Sequence, residues 1–176
     1  MKVKIKKLHT DAVVPFKTHS KDFCYDVTAT SCEELAPNVW KYGLGIAFQI
    51  DANSIANRQI FVRGIISPMK KEAGSVHLEQ RLDICEDLIL SIDIRPRSSI
   101  WKTGMSLSNS EGTIDELYTG EASAVFYHLM PNMPKYEIGD RIAQCKIGLT
   151  VPMDFIEVDE LTETERGDGG YGSTGK

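Results

Sequence analysis

The chain has 176 residues, 41% of them hydrophobic and 26% charged, which is enough apolar material for one packed domain, or a domain with an insertion, and too much for a chain disordered by composition. Twenty Lys+Arg against 25 Asp+Glu leave a formal charge of −5, which argues against non-specific nucleic-acid binding, because that mode needs a dense cationic surface; a local basic pocket for a small anion stays open. No apolar run is long enough to span a bilayer, and Cys24, Cys32, Cys85 and Cys145 form no CxxC pair, so they read as reduced thiols of a cytoplasmic chain and not as a metal or redox site.

In chain order, VKIKKL near the N-terminus alternates with period two and reads as an edge strand, with no apolar stretch behind it to make a signal peptide. LGIAFQI and QIFVRGII follow as strands, separated from their neighbours by the connectors DFCYD, APNVWKYG and RGIISPM. Pro68–Arg81 is the one helix candidate, started by Ser67-Pro68 and weakened by Gly74 in its middle. LILSIDI, ASAVFYHLM and IAQCKIGLTV are again short, β-branched or aromatic, and bounded by turns such as LMPNMPKYEIGD and LTVP. Many short strands between turn residues predict an all-β sandwich or barrel. From Thr162 to Lys176 the composition changes: five glycines and little apolar content beyond Tyr171 read as a mobile tail.

Five short segments put polar residues where this pattern expects core or plain turn: CYDVTA, RPRSS, NSEGTIDELYTGE, GDRIAQ and RGDGGYGSTG. Arg97-Ser98-Ser99 offers a guanidinium fork beside two hydroxyls, suited to phosphate oxygens or, more plainly, to a solvated turn with a serine cap. Gly112 to Glu121 reads as a β-hairpin carrying Asp115, able to orient a water or simply to bond its own turn, and Tyr118. Asp140 and Arg141 are spaced to pair as a structural salt bridge, leaving Gln144 on the strand that follows. In the tail, glycines let the backbone approach an anion closely while Arg166, Tyr171 and the Ser173-Thr174 pair supply charge, a ring and hydroxyls.

In this order and near these separations, the five segments resemble the five motifs of the homotrimeric dUTP pyrophosphatase (dUTPase) family, over a stretch from about Asp22 to the C-terminus. GDRIAQ and RGDGGYGSTG are close to the family pattern without change, PRSS and GTIDELYTGE are strong matches, and CYDVTA is looser, with Phe23 and Cys24 where the family has a small residue and Gly. The resemblance implies a distorted jelly-roll β-barrel over residues 1–161, with a short helix or hairpin inserted at about 51–87, and a mobile arm, 162–176, that closes the active site. It implies Mg²⁺-dependent hydrolysis of dUTP to dUMP and pyrophosphate, by in-line attack of water on the α-phosphorus, in a cytoplasmic homotrimer whose sites are shared between subunits.

Residue by residue, Asp26 matches the acid that supports Mg²⁺ through water. Arg97, Ser98 and Ser99 match phosphate binders, and Gln144 a further phosphate contact. Asn109 and the hairpin backbone after it, including Gly112 and Ile114, match the uracil-reading segment. Asp115 matches the acid that positions the attacking water, and Tyr118 the ring packed under deoxyribose. Arg166, Tyr171, Gly172, Ser173 and Thr174 match the arm. Trp101 and Leu117 depart from the commonest family residues, with packing consequences expected and nothing more. Two other readings remain: a dCTP deaminase of related fold, alone or bifunctional, and a non-catalytic nucleotide-sensing regulator. Intact Asp115, Arg97 and Arg166 speak against the regulator, and Asp115 with Tyr118 and the Gly-rich arm against the deaminase.

Overall fold

The computed structural model describes residues 2–51, 59–65, 77–83 and 89–169, with backbone alone for 59–65 and 77–83. Among them are twelve strands: β1 (Lys2–Lys7), β2 (Tyr25–Thr28), β3 (Ser31–Ala36), β4 (Val39–Gly43), β5 (Ile46–Asp51), β6 (Gln59–Ile65), β7 (His77–Asp83), β8 (Ile89–Pro96), β9 (Met105–Leu107), β10 (Gly112–Asp115), β11 (Ser123–His128) and β12 (Arg141–Thr150). Among the described residues a short 3-10 helix, Ser98–Lys102, follows β8. The strands form two four-stranded antiparallel sheets, ordered β10-β8-β12-β2 and β3-β4-β11-β9, and two pairs, β1-β5 and β6-β7. This is an all-β, jelly-roll-like architecture.

Period-two alternation explains how the layers close. Leu90, Ile92 and Ile94 of β8 turn inward, as do Val27 of β2 and Cys145 of β12, and they meet Tyr42, Ile46, Phe48 and Phe126. At the centre Tyr42, Phe126 and Tyr136 pack edge to face, with centroids 5.8, 6.3 and 5.5 Å apart, an arrangement favoured by the ring quadrupoles. The Tyr42 hydroxyl donates to the carbonyl of Tyr136 at 2.8 Å, so this ring is buried without an orphaned polar end. Burial pushes the Cys145 thiol up to about 12, which leaves it protonated and unreactive at neutral pH.

A register shift in β12 between Arg141 and Ala143 decides what faces outward. Ile142 and Ala143 are both buried there, after which alternation resumes with Gln144 out, Cys145 in and Lys146 out. The tight turn before it needs Gly139, whose φ is +93°, a backbone region that side chains disfavour. That turn is pinned to the end of β2: Gly139 N–H donates to Ala29 O at 2.9 Å, and Ala29 N–H to Asp140 O at 3.0 Å.

Several expectations are corrected. His77–Arg81 lie on strand β7, paired in register with β6 from Gln59↔Asp83 to Ile65↔His77, and not on a helix; the rest of the helix candidate, 68–76, lies outside the described residues. The β-branched run of β6 supplies a pairing partner that local helix propensity cannot outweigh. APNVWKYG is not a plain connector, because Val39–Gly43 is a strand between β3 and β11, and DFCYD runs into β2 at Tyr25. Gly112–Asp115 is not half of a hairpin with Tyr118: it pairs with β8, and the chain turns after it through the bond from Tyr118 N–H to Asp115 O at 3.0 Å. After β12 the chain carries neither strand nor helix from 151 to 169.

Candidate active site

The outward face of the β10-β8-β12-β2 sheet is a polar lattice. Across one row the register aligns Asp26 of β2 with Gln144 of β12, and Gln144 with Arg95 of β8; Glu111, just before β10, completes the row by pairing with Arg95. In the next row Lys146 faces Asp93, its ammonium 2.5 Å from the carboxylate and 3.9 Å from Glu111. Burial works to raise the Asp93 carboxyl, but hydrogen bonds from Lys146 and Ser91, with the nearby Lys146 and Arg95 charges, outweigh it and hold the group below its ordinary value.

Asp26 is the hub. One carboxylate oxygen accepts from Arg97 Nε at 2.9 Å, and the other from Arg97 Nη2 at 3.4 Å and Arg141 Nη1 at 2.9 Å. Arg97 is in extended conformation at the mouth of the 3-10 helix, so its side chain reaches back across the sheet to Asp26 while Ser98 and Ser99 begin the helical turn. It also donates to the Ser99 hydroxyl at 3.3 Å. Gln144 donates to Pro96 O at 3.1 Å, tying β12 to the segment that presents Arg97. Asp140 does not pair with Arg141. Its carboxylate accepts from Glu137 N–H at 2.8 Å, closing its own turn, and this frees Arg141 for Asp26.

These side chains border a cavity of about 450 Å³ lined by Phe16, Lys17, Asp22, Asp26, Arg97 and Gln144, with Ser98, Arg95, Cys24, Thr18 and Phe23 also on its wall. The size suits a small ligand, and a guanidinium with hydroxyl and amide donors suits phosphate oxygens. Asp26, Arg97, Ser98 and Gln144 are thus brought together, with Ser99 at the edge. Arg141 and the loop carrying Lys17 were not singled out as site residues from the sequence. Only the pairing of β12 with β2 reveals Arg141 as a partner of Asp26, and no local motif marks Lys17.

Asn109, Gly112, Ile114, Asp115 and Tyr118 lie at the opposite edge of the sheet. Asp115 pairs with Ser91, three strand spacings across and four residues along from the Asp26 row, a separation of roughly 20 Å from sheet dimensions. It is exposed. β10 is an edge strand, so part of its backbone N–H and C=O row has no strand partner, while Ile114 packs against the core. The Tyr118 ring lies over Gly120, where a Cβ would fall 2.6 Å from ring carbon Cζ, and its hydroxyl donates to Glu121 O at 3.1 Å. Arg166 is exposed, does not line the cavity and donates to Gly169 O at 2.9 Å. Tyr171, Gly172, Ser173 and Thr174 lie outside the described residues.

Comparison with known proteins supplies a family. A dUTPase family model matches residues 75–175, more than half of the chain. The chain is similar to the deoxyuridine 5'-triphosphate nucleotidohydrolase of Nautilia profundicola, 30% identical with 100% of each chain covered, and to that of Clostridium novyi, 31% identical with 99% of each covered. Among solved structures it resembles the Staphylococcus bacteriophage 80alpha dUTPase with dUPNHPP, at TM-score 0.65 and 19% identity over 99% of each chain. A mutant dUTPase from phage phi11 of S. aureus, described with a structural Mg(II) ion, matches at TM-score 0.57 and 15% identity, over 91% of this chain and 98% of that one.

Proposed function

The chain belongs to the dUTPase family, and we propose that it is a Mg²⁺-dependent dUTP diphosphatase, hydrolysing dUTP to dUMP and pyrophosphate by in-line attack of water on the α-phosphorus. The observation that carries this reading is the convergence of Asp26, Arg97, Ser98 and Gln144, from three separate stretches of chain, on one cavity. Phosphoryl transfer asks little covalent chemistry of a protein, so placement and charge neutralisation are what such a cluster contributes. Arg97 and Ser98 hold triphosphate oxygens, and Gln144 adds an amide donor at the same wall.

The donor set fits Mg²⁺. One Asp26 oxygen accepts a single hydrogen bond, which leaves it a lone pair for a metal-bound water, and Mg²⁺ is usually held by one or two carboxylates together with substrate phosphates and waters. When bound, the ion neutralises charge on the triphosphate. Asp115 orients the attacking water and accepts its proton, the unpaired edge of β10 with Asn109 reads the uracil, and Tyr118 packs under the deoxyribose. Roughly 20 Å separates Asp115 from Asp26 across the sheet of one chain, so a complete site takes these two from different copies. That distance calls for an oligomer with shared sites, and the family resemblance makes it a homotrimer, in which the barrel of residues 1–161 is served by an arm, 162–176, that closes over the nucleotide.

Incubation with dUTP, with and without Mg²⁺, tests the activity: release of pyrophosphate and dUMP that stops on chelation is expected. Ammonia from dCTP would replace this reading with a deaminase, and tight dUTP binding with no pyrophosphate would replace it with a nucleotide sensor. Sedimentation of the protein as a monomer that still turns over dUTP would sink the shared site.

A further inference from the structure

Resting on the reading of this cavity as a triphosphate site, we infer that Lys17 is a further phosphate-binding residue, outside the five motif segments. The loop that carries it is fastened across the cavity mouth. Asp26 N–H donates to Phe16 O at 2.7 Å and Phe16 N–H to Asp26 O at 3.3 Å, so Lys17 directly follows the residue bridged to the backbone of Asp26, which organises the site. On its other side, Thr18 accepts from Arg141 Nη1 at 3.3 Å, and both Lys17 and Thr18 line the cavity.

What sets Lys17 apart is its partner. Arg97 and Arg141 share the Asp26 carboxylate, and Arg95 is paired with Glu111. Among the described residues no carboxylate lies within ion-pair distance of the Lys17 ammonium, which rests on the Tyr25 ring, 4.5 Å from its centroid. Asp22, the other acid on the wall, accepts from His19 N–H at 2.8 Å within its own turn. A cation on an exposed ring is held weakly, whereas a charge-assisted bond to phosphate is among the stronger polar contacts. A lysine is also a compact point charge on a flexible stem, able to leave the ring and follow an anion. Among the described residues Lys17 is therefore the cation on the cavity wall with no carboxylate partner, placed for the pyrophosphate portion of the nucleotide.

The test is titration calorimetry of the full chain with inorganic pyrophosphate, alongside dUTP kinetics. Lys17→Met, which keeps the stem and removes the charge, should weaken pyrophosphate binding about fivefold to tenfold and raise KM for dUTP by a similar factor, with kcat much less affected. It should also flatten the salt dependence of KM. Lys17→Arg should restore binding to within about twofold of the parent, and Lys21→Met, outside the cavity, should change neither readout. Pyrophosphate affinity of a folded Lys17→Met protein equal to that of the parent would overturn the assignment while leaving dUTP turnover, and so the function, intact. A parent protein that neither binds pyrophosphate nor hydrolyses dUTP would bring down the function itself and Lys17 with it.

Discussion

Replacing Asp26 by Asn tests whether the two-arginine clamp shapes the site. The Asp26 side chain is 14% exposed, against 24% for Arg97 and 42% for Arg141. At about 4 Å and an effective dielectric constant of about 20, one unit pair is worth ~4 kcal/mol before desolvation and side-chain entropy are subtracted. The Arg97 bond, mostly shielded and made by two nitrogens, should retain about 1–2 kcal/mol of that. The Arg141 bond, more open to solvent, should add at most ~0.5–1 kcal/mol. Asn keeps one acceptor oxygen but turns an amide donor toward a guanidinium, so part of the loss becomes repulsion. A total near 2 kcal/mol lowers the melting temperature by about 4–8 °C for a chain of this size. The melt is run without nucleotide or Mg²⁺, so it reports the clamp alone. In the same variant kcat/KM for dUTP should fall at least about tenfold, because Arg97 is no longer held at the cavity wall. A melting temperature within about 1 °C of the parent would show that the pair contributes nothing to the fold. Unchanged kcat/KM would remove Asp26 from the site altogether.

Three further outcomes are expected. Asp115→Asn should still bind a dUTP analogue in calorimetry while losing about a hundredfold or more of kcat, and unchanged turnover would disqualify Asp115 as the water-orienting acid. Truncation after Glu165 removes the glycine-rich arm but none of the twelve described strands, so it should leave melting unchanged and cut dUTP turnover severely; a fully active truncation would show that the arm has no part in closure. Asp93 is held below its ordinary value of 3.8, so folding favours its ionised form. Its contribution is full above that pH and disappears as pH falls through the lower folded value. The stability difference between the parent and Asp93→Asn, followed by denaturant unfolding, should accordingly be largest near neutrality and shrink below about pH 4. A difference that stays flat across that range would contradict the ion pair with Lys146.

Alternating runs such as Leu88–Ile94 and Ile142–Val151 declare themselves locally, since side chains on a strand point to opposite faces in turn and half of them must be buried. The class of fold and most of the long strands were therefore written in the pattern, as were the five polar segments that interrupt it. Short strands were harder. Met105–Leu107 is held by β11 and Val39–Gly43 by both its sequence neighbour β3 and the distant β11, and nothing within those few residues announces the distant partner. The same reason holds for His77–Arg81, expected in a helix and found in a strand, because β7 takes its conformation from β6.

The site divides along the same line. Residue type alone nominated Asp26, Arg97, Ser98, Gln144 and Asp115, because few side chains can hold phosphate or orient water. Which of them meet is a matter of register: a one-residue irregularity in β12 turns Gln144 outward beside Asp26, and the turn at Gly139 and Asp140 releases Arg141 to the same carboxylate instead of its sequence neighbour. Pairing across β10-β8-β12-β2 also holds Asp115 at the far edge. Chemistry travels with the residue, whereas distance depends on hydrogen-bonded pairing between strands far apart in the chain, and that pairing exists only once the whole sheet is assembled.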